Sequence, residues 1–153
     1  MARPPSIVRF EQLYLASIAV WLFTTVSFWS LNRRALETSS QYAANPSAQS
    51  AMAGLMIGTA SVVLAASLLF WWLAARRAHA AGKWMILATE AVGALLALYA
   101  IYGLFRGAAP NTANLVLNLL ATGLAVAAAL MLLRPDANAW FAEGRGEPEG
   151  PQL

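Results

Sequence analysis

The chain contains no cysteine and a single histidine, and charged side chains make up only 11% of its 153 residues. Without cysteine there is no disulfide framework, no thiolate metal site and no cysteine nucleophile. His79 falls in a polar turn beside Arg76 and Arg77, so the apolar stretches offer neither His nor Cys to ligate haem or a transition metal. Met52, Met56, Met85 and Met131 read as packing residues rather than copper ligands. There is no Ser-His-Asp arrangement, no glycine-rich phosphate loop and no HExxH motif. No cofactor is implied, and the chain reads as non-enzymatic.

The shortage of charge says more. A soluble domain usually carries roughly 25% charged residues. With 59% hydrophobic residues, this chain would expose in water an apolar surface that folded soluble monomers avoid. A membrane protein follows. Four apolar runs are long enough to cross a hydrocarbon core of about 30 Å at about 1.5 Å per residue. They are Leu13–Leu31, Met52–Ala75, Trp84–Phe105 and Ala113–Leu133. The first exceeds the h-region of a signal peptide, and SFWSLNRR lacks a small-x-small cleavage site, so a retained helix is expected.

Ahead of it, Met1–Gln12 reads as an interfacial lead-in with Ser6 as a helix N-cap. The polar loop Asn32–Ser50, broken by Pro46, has room for a short helix over Arg34–Tyr42. The short turn Arg76–Lys83 makes the second and third helices antiparallel neighbours. After Arg134-Pro135, a short helix over Asp136–Ala142 is expected, capped by Asp136 and anchored in the interface by Trp140 and Phe141. The predicted fold is all-α: an integral membrane bundle of four transmembrane helices with short interfacial helices at the termini. Residues 1–142 form this one domain, and 143–153, rich in Gly, Pro and Glu, read as a disordered tail.

A formal charge of +3 and a pI near 9.8 raise the question of nucleic acid. The basic residues sit beside the apolar runs, so membrane orientation explains them and nucleic acid is not an expected partner. Arg3, Arg9, Arg76, Arg77, Lys83, Arg134 and Arg145 lie on one side, seven in all, against Arg33, Arg34 and Arg106 on the other. The positive-inside bias places the N- and C-termini in the cytoplasm of a multi-pass inner (plasma) membrane protein.

Glu90 is the only ionisable acidic or basic side chain inside any of the four runs. It shares a helix face with Lys83, Ile86, Gly93, Ala94, Ala97 and Ile101, while Val92, Leu95 and Tyr99 lie opposite. Small residues on the Glu90 side suit close helix approach. The second helix carries Gly54, Gly58, Ser61 and Ala65 in one stripe, and the fourth carries Asn111, Asn114, Asn118, Thr122, Ala125 and Ala129. Gly54, Gly58, Gly93 and Ala97 are the expected packing positions. Glu90, Asn114, Asn118 and Thr122 form the candidate intramembrane polar site. Two roles compete at each. Glu90 is either a protonatable or cation-binding carboxylate or a structural one tied to Ser67, Ser17 or Arg9. The asparagines either line a polar path or hydrogen-bond between helices.

The segments RPPSIVRFEQLYL at the start and LLRPDANAWF at Leu132–Phe141, with the four apolar runs, resemble small uncharacterised four-helix inner-membrane proteins of proteobacteria. The resemblance implies location and architecture, not activity. Small multidrug exporters also combine four helices with one membrane Glu, but theirs lies in the first helix, which here has none. The expected partners are the lipid bilayer and either other membrane subunits or further copies of the chain. An accessory or structural subunit is the first expectation, and a small proton- or cation-coupled transporter or channel using Glu90 is the alternative.

Overall fold

Six helices follow one another in this computed structural model, which describes residues 3–39, 45–106 and 111–144: α1 Pro5–Ser27, α2 Trp29–Thr38, α3 Pro46–Ala75, α4 Ala80–Phe105, α5 Thr112–Met131 and α6 Pro135–Gly144. α1, α3, α4 and α5 are each long and apolar enough to cross a membrane, and the described residues contain no strand. The chain is thus an all-α, multi-pass integral membrane bundle. Most of the expected tail, from 145 onward, and the end of the expected loop helix, 40–42, lie outside the described residues.

The helix starts differ from the sequence expectation for local reasons. α1 begins at Pro5, eight residues before the apolar run, because Pro4 is extended (φ −64°, ψ 153°) and proline at the first helical position has no N–H to satisfy. Ser6 is therefore not a cap. Its backbone N–H is instead accepted at 3.2 Å by Asp136 Oδ2 from α6, so the Asp136 carboxyl serves α1 across 130 residues of sequence as well as the first turn of its own helix. The lead-in is helical and packed, with Ser6, Ile7 and Phe10 buried along one face.

At its other end α1 stops at Ser27. Thr24 and Thr25 hydroxyls donate back to the Val20 and Trp21 carbonyls (2.8 and 2.9 Å), a pattern that bends helices. The chain breaks at Phe28 and continues as α2, earlier than the loop helix expected over Arg34–Tyr42. Pro46, expected to break the loop, opens α3. Asn45 caps it by accepting the Ala48 N–H at 3.2 Å. His79 Nδ1 caps α4 through the Ala81 N–H (3.2 Å), and Asn111 Oδ1 caps α5 through the Asn114 N–H (3.1 Å).

The core lies at one end of the bundle, the end carrying Arg9, Arg76, Arg77, Lys83 and Arg134. Ile7 and Phe10 of α1, Ala74 and Ala75 of α3, Ile86 of α4, and Ala128, Ala129 and Leu132 at the end of α5 form one buried cluster with Ala137 and Phe141 of α6. Phe141 is therefore a core residue rather than a lipid-facing anchor, while Trp140 is half-buried beside it. Phe141 is 3% exposed, and the Trp140 indole N–H donates to the Ala74 carbonyl at 3.3 Å, fastening α6 to the end of α3. Polar contacts close the same end. Glu11 pairs with Arg3 and, at 2.7 Å, with Arg76. Lys83 Nζ donates to Asn138 Oδ1 at 2.6 Å and lies near the Trp84 and Phe141 rings. The Ser6 side chain and N–H hold the Asp136 carboxyl below the ordinary aspartate range.

The α3–α4 turn is the tightest crossing in this region. Ala78 takes the left-handed conformation (φ 50°), and the His79 N–H reaches back to the Leu73 carbonyl at 3.0 Å. α4 then passes so close to α3 that a Cβ on Gly82 would stand 2.8 Å from Leu73 Cβ and 2.9 Å from the Ala74 nitrogen.

Candidate functional site

The four long helices do not pack evenly along their length. α1 and α5 share the most extensive contact, and buried positions continue up both, through Tyr14, Ser17 and Thr24 on α1 and Ala121 and Ala125 on α5. α3 has no buried residue between Ser47 and Leu73, and α4 has none after Ile86. Full burial of the α3–α4 hairpin is thus confined to the basic end, while α4 keeps its contact with α5 and its inner positions beyond Ile86 are half-buried. The physical reason is visible in the side chains. Large interlocking residues (Phe10, Ile7, Ile86, Leu132) sit at the closed end, whereas the facing positions farther along are Ser17, Ser67, Gly93, Ala121 and Ala125.

The space left between the two pairs is a cavity of about 470 Å³, lined from all four helices. α1 supplies Tyr14, Ser17, Ile18 and Trp21; α3 supplies Val63, Leu64, Ala66, Ser67 and Phe70. α4 supplies Thr89, Glu90, Val92, Gly93 and Leu96, and α5 supplies Ala121, Thr122 and Ala125. This volume lies within the roughly 300–1,000 Å³ of small-molecule sites.

Glu90 supplies the only carboxyl in this lining. The ion pairs among the described residues are Arg3–Glu11, Arg33–Glu37 and Arg76–Glu11, and none involves Glu90. Its Oε2 lies over its own helix, 3.8 Å from where a Gly93 Cβ would be. A glycine one turn on leaves the cavity side of the carboxyl open. Tyr14 lies within electrostatic reach of Glu90 and hydrogen-bonds with the Ser67 side chain. Tyr14 is held by stacking on Phe10, with ring centroids 5.3 Å apart.

Three of the cavity's hydroxyls are satisfied within their own helices, while those of Tyr14 and Ser67 meet between α1 and α3. Ser17 donates to the Tyr14 carbonyl (2.7 Å), Thr89 to Met85 and Ile86 (2.9 and 3.0 Å), and Thr122 to Asn118 (2.9 Å). The protons of Ser17, Thr89 and Thr122 are engaged, while their oxygens can still accept. The chemistry available is a single carboxyl, a phenol and a few acceptor oxygens in an apolar, aromatic-walled space. That set can exchange one proton or hold one monovalent cation.

The residues read from sequence separate into two groups. Glu90, Gly93 and Thr122 meet at the cavity. Asn114 and Asn118 do not line it. Asn118 Nδ2 donates to the Asn114 backbone carbonyl and Oδ1 at 2.8 and 2.7 Å, so the pair bonds along α5, and among the described residues it bridges no helices. Ala97 is half-buried farther up α4. A Cβ built on Gly54 or Gly58 would meet nothing within 4 Å, so among the described residues no neighbouring helix closes on the GxxxG pair of α3. Sequence reasoning did not single out Gly82, the glycine that is tightly packed, or Tyr14, whose spacing of four from Phe10 was a signal for both facing inward. Among the described residues no three His, Cys, Asp or Glu side chains gather as metal ligands. Compared with known proteins, the chain matches no family model, no curated protein and no solved structure.

Proposed function

We propose that this integral membrane protein takes up a small solute in the intramembrane cavity around Glu90 and moves it or its coupled proton across the bilayer. The single observation that carries this reading is the cavity itself: all four spanning helices contribute to it, and its one carboxyl has no ion-pair partner among the described residues. A purely structural carboxyl at that depth is expected to be paired or hydrogen-bonded, because lipid supplies neither. The test is proton flux in proteoliposomes under an imposed pH gradient. Wild-type protein is expected to raise flux above empty vesicles, and Glu90→Gln to return it to baseline. Equal flux in both would remove Glu90 from the reading.

A second reading has its own observation. The outer half of α3 presents Gly54 and Gly58 with no neighbour within 4 Å, on a helix unburied from Ser47 to Leu73. This supports association there with another copy or another membrane subunit, as an accessory or structural component. Cross-linking of single cysteines introduced at position 58 in native membranes tests it; a monomer at every protein concentration rejects it. Both readings place the basic end and both termini in the cytoplasm of an inner membrane, on the seven-to-three distribution of Lys and Arg. Reporter fusions to the C-terminus that were active only outside the cytoplasm would reverse this orientation.

A further inference from the structure

We infer that the ligand of the Glu90 cavity is an amphiphilic organic cation, with its head at Glu90 and its apolar tail in a groove between α1 and α3. This rests on the cavity reading and goes beyond it by naming the ligand class. A second cavity of about 290 Å³ lies between these two helices and the start of α2, bounded by Thr25, Val26, Trp29, Ile57, Ala60 and Ser61. It adjoins the Glu90 cavity, since Trp21 and Leu64 line both. From Tyr14 to Val26 the two run along roughly 18 Å of α1 at about 1.5 Å per residue. The packing makes room for this. α1 touches α3 far less than it touches α5, and Val26 and Ile57 on the groove's rim are more than half exposed toward lipid (72% and 54%).

Charge and chemistry select the occupant. No lysine, arginine or histidine lines either cavity, and Glu90 is the only acidic residue, so the head that complements it is cationic. Tyr14, Trp21 and Phe70 make the lining aromatic, and aromatic walls suit a weakly hydrated organic cation. A bare metal ion fits poorly. Hard cations need about six or more oxygen ligands, and the cavity has one carboxylate and a few hydroxyls, most donating to their own helices. The groove adds apolar wall and no charge, which suits an alkyl chain.

Equilibrium dialysis of radiolabelled decyltrimethylammonium against the full chain in lipid nanodiscs, with protein-free discs as baseline, tests the inference. Saturable binding of one cation per chain is expected, weakened by at least about tenfold in Glu90→Gln. Tetramethylammonium, which lacks the tail, is expected to bind at least about tenfold more weakly. Ser61→Trp, which fills the groove, is expected to weaken the decyl cation and leave tetramethylammonium unchanged; Ala60→Trp on the same wall replaces it if that variant misfolds. Displacement of the cation by uncharged decanol, or indifference to groove filling, would show an ordinary lipid chain in the groove and overturn the inference. If no saturable cation binding appears while Glu90-dependent proton flux persists, the ligand class is wrong and the cavity reading stands. If binding and flux are both absent, or both indifferent to Glu90→Gln, both fall.

Discussion

Gly82→Ala puts the packing scheme to a quantitative test, because one methyl group meets backbone that has nowhere to go. The added Cβ would lie 2.8 Å from Leu73 Cβ, 2.9 Å from the Ala74 nitrogen and 3.2 Å from the Leu73 carbonyl carbon. Comfortable carbon contacts begin at about 3.5 Å, so α3 and α4 must separate by a sizeable fraction of an ångström at their shared turn. Ala74, Ala75 and Ile86 next to this turn are fully buried, and the strain has no soft side chain to absorb it. Overpacking of this kind costs about 1–3 kcal/mol, here toward the upper end. Alanine in place of glycine in a helix returns about 0.8–1 kcal/mol. The net is a destabilisation of about 1–2 kcal/mol, or roughly 2–8 °C in Tm if the size scaling of soluble domains carries over.

Gly103 on the same helix has nothing within 4 Å. Gly103→Ala therefore keeps the propensity gain without the clash, and its Tm should stay level or rise. Thermal unfolding of detergent-solubilised protein, followed by loss of the monodisperse elution peak, separates the two variants. Equal stability of Gly82→Ala and wild type would mean that the α3–α4 crossing is looser than described and that the closed end of the bundle has been misread.

Other residues give sharper single outcomes. Phe10→Ala empties a fully buried position in the core cluster and should cost about 3–5 kcal/mol, read in the same unfolding assay. Asn118→Leu removes hydrogen bonds made only to Asn114 in the same helix and should cost no more than about 0.6 kcal/mol; a larger loss would reveal a partner on another helix. The Asp136 carboxyl is held below its ordinary 3.8 by Ser6, so its contribution is present above that value and is lost as pH falls through the lower folded value. The Tm difference between wild type and Asp136→Asn should accordingly shrink as pH is taken below about 4, and a difference that grew with acid would reverse the sign.

The four spans were legible because hydropathy over twenty residues depends little on what the helices touch. The start of α1 was not. Arg9, Glu11 and Gln12 interrupt the apolar pattern and suggested an interfacial lead-in, whereas Ile7, Phe10 and Tyr14 already carried a helical spacing of three and four, and Glu11 finds its partners in Arg3 and in Arg76, 65 residues away. Capping was misjudged for a related reason. Pro4-Pro5 and Asn45-Pro46 are strong local helix starts, but Asp136 acts at a distance that no local pattern encodes.

Periodicity put Leu95 and Tyr99 opposite Glu90, and both are more than half exposed, but Val92, read as opposite, lines the cavity beside it. The spacing gave no hint of a cavity, because a cavity is made by what neighbouring helices fail to fill. The glycines show the same limit. Gly54 and Gly58 carry the recognisable motif and have no close neighbour among the described residues, while Gly82, in an unremarkable RRAHAAGK turn, sits tightly against Leu73 and Ala74 of α3.

Labelling intact membranes with dicyclohexylcarbodiimide, an apolar reagent that attacks protonated carboxyls, and mapping the adducts by mass spectrometry tests the Glu90 cavity most directly. The cavity predicts modification at Glu90 ahead of Glu11 and Glu37, slowed by decyltrimethylammonium and absent in Glu90→Gln. A Glu90 that stays unmodified, or that reacts at the same rate with and without the cation, would contradict a solute site at this carboxyl.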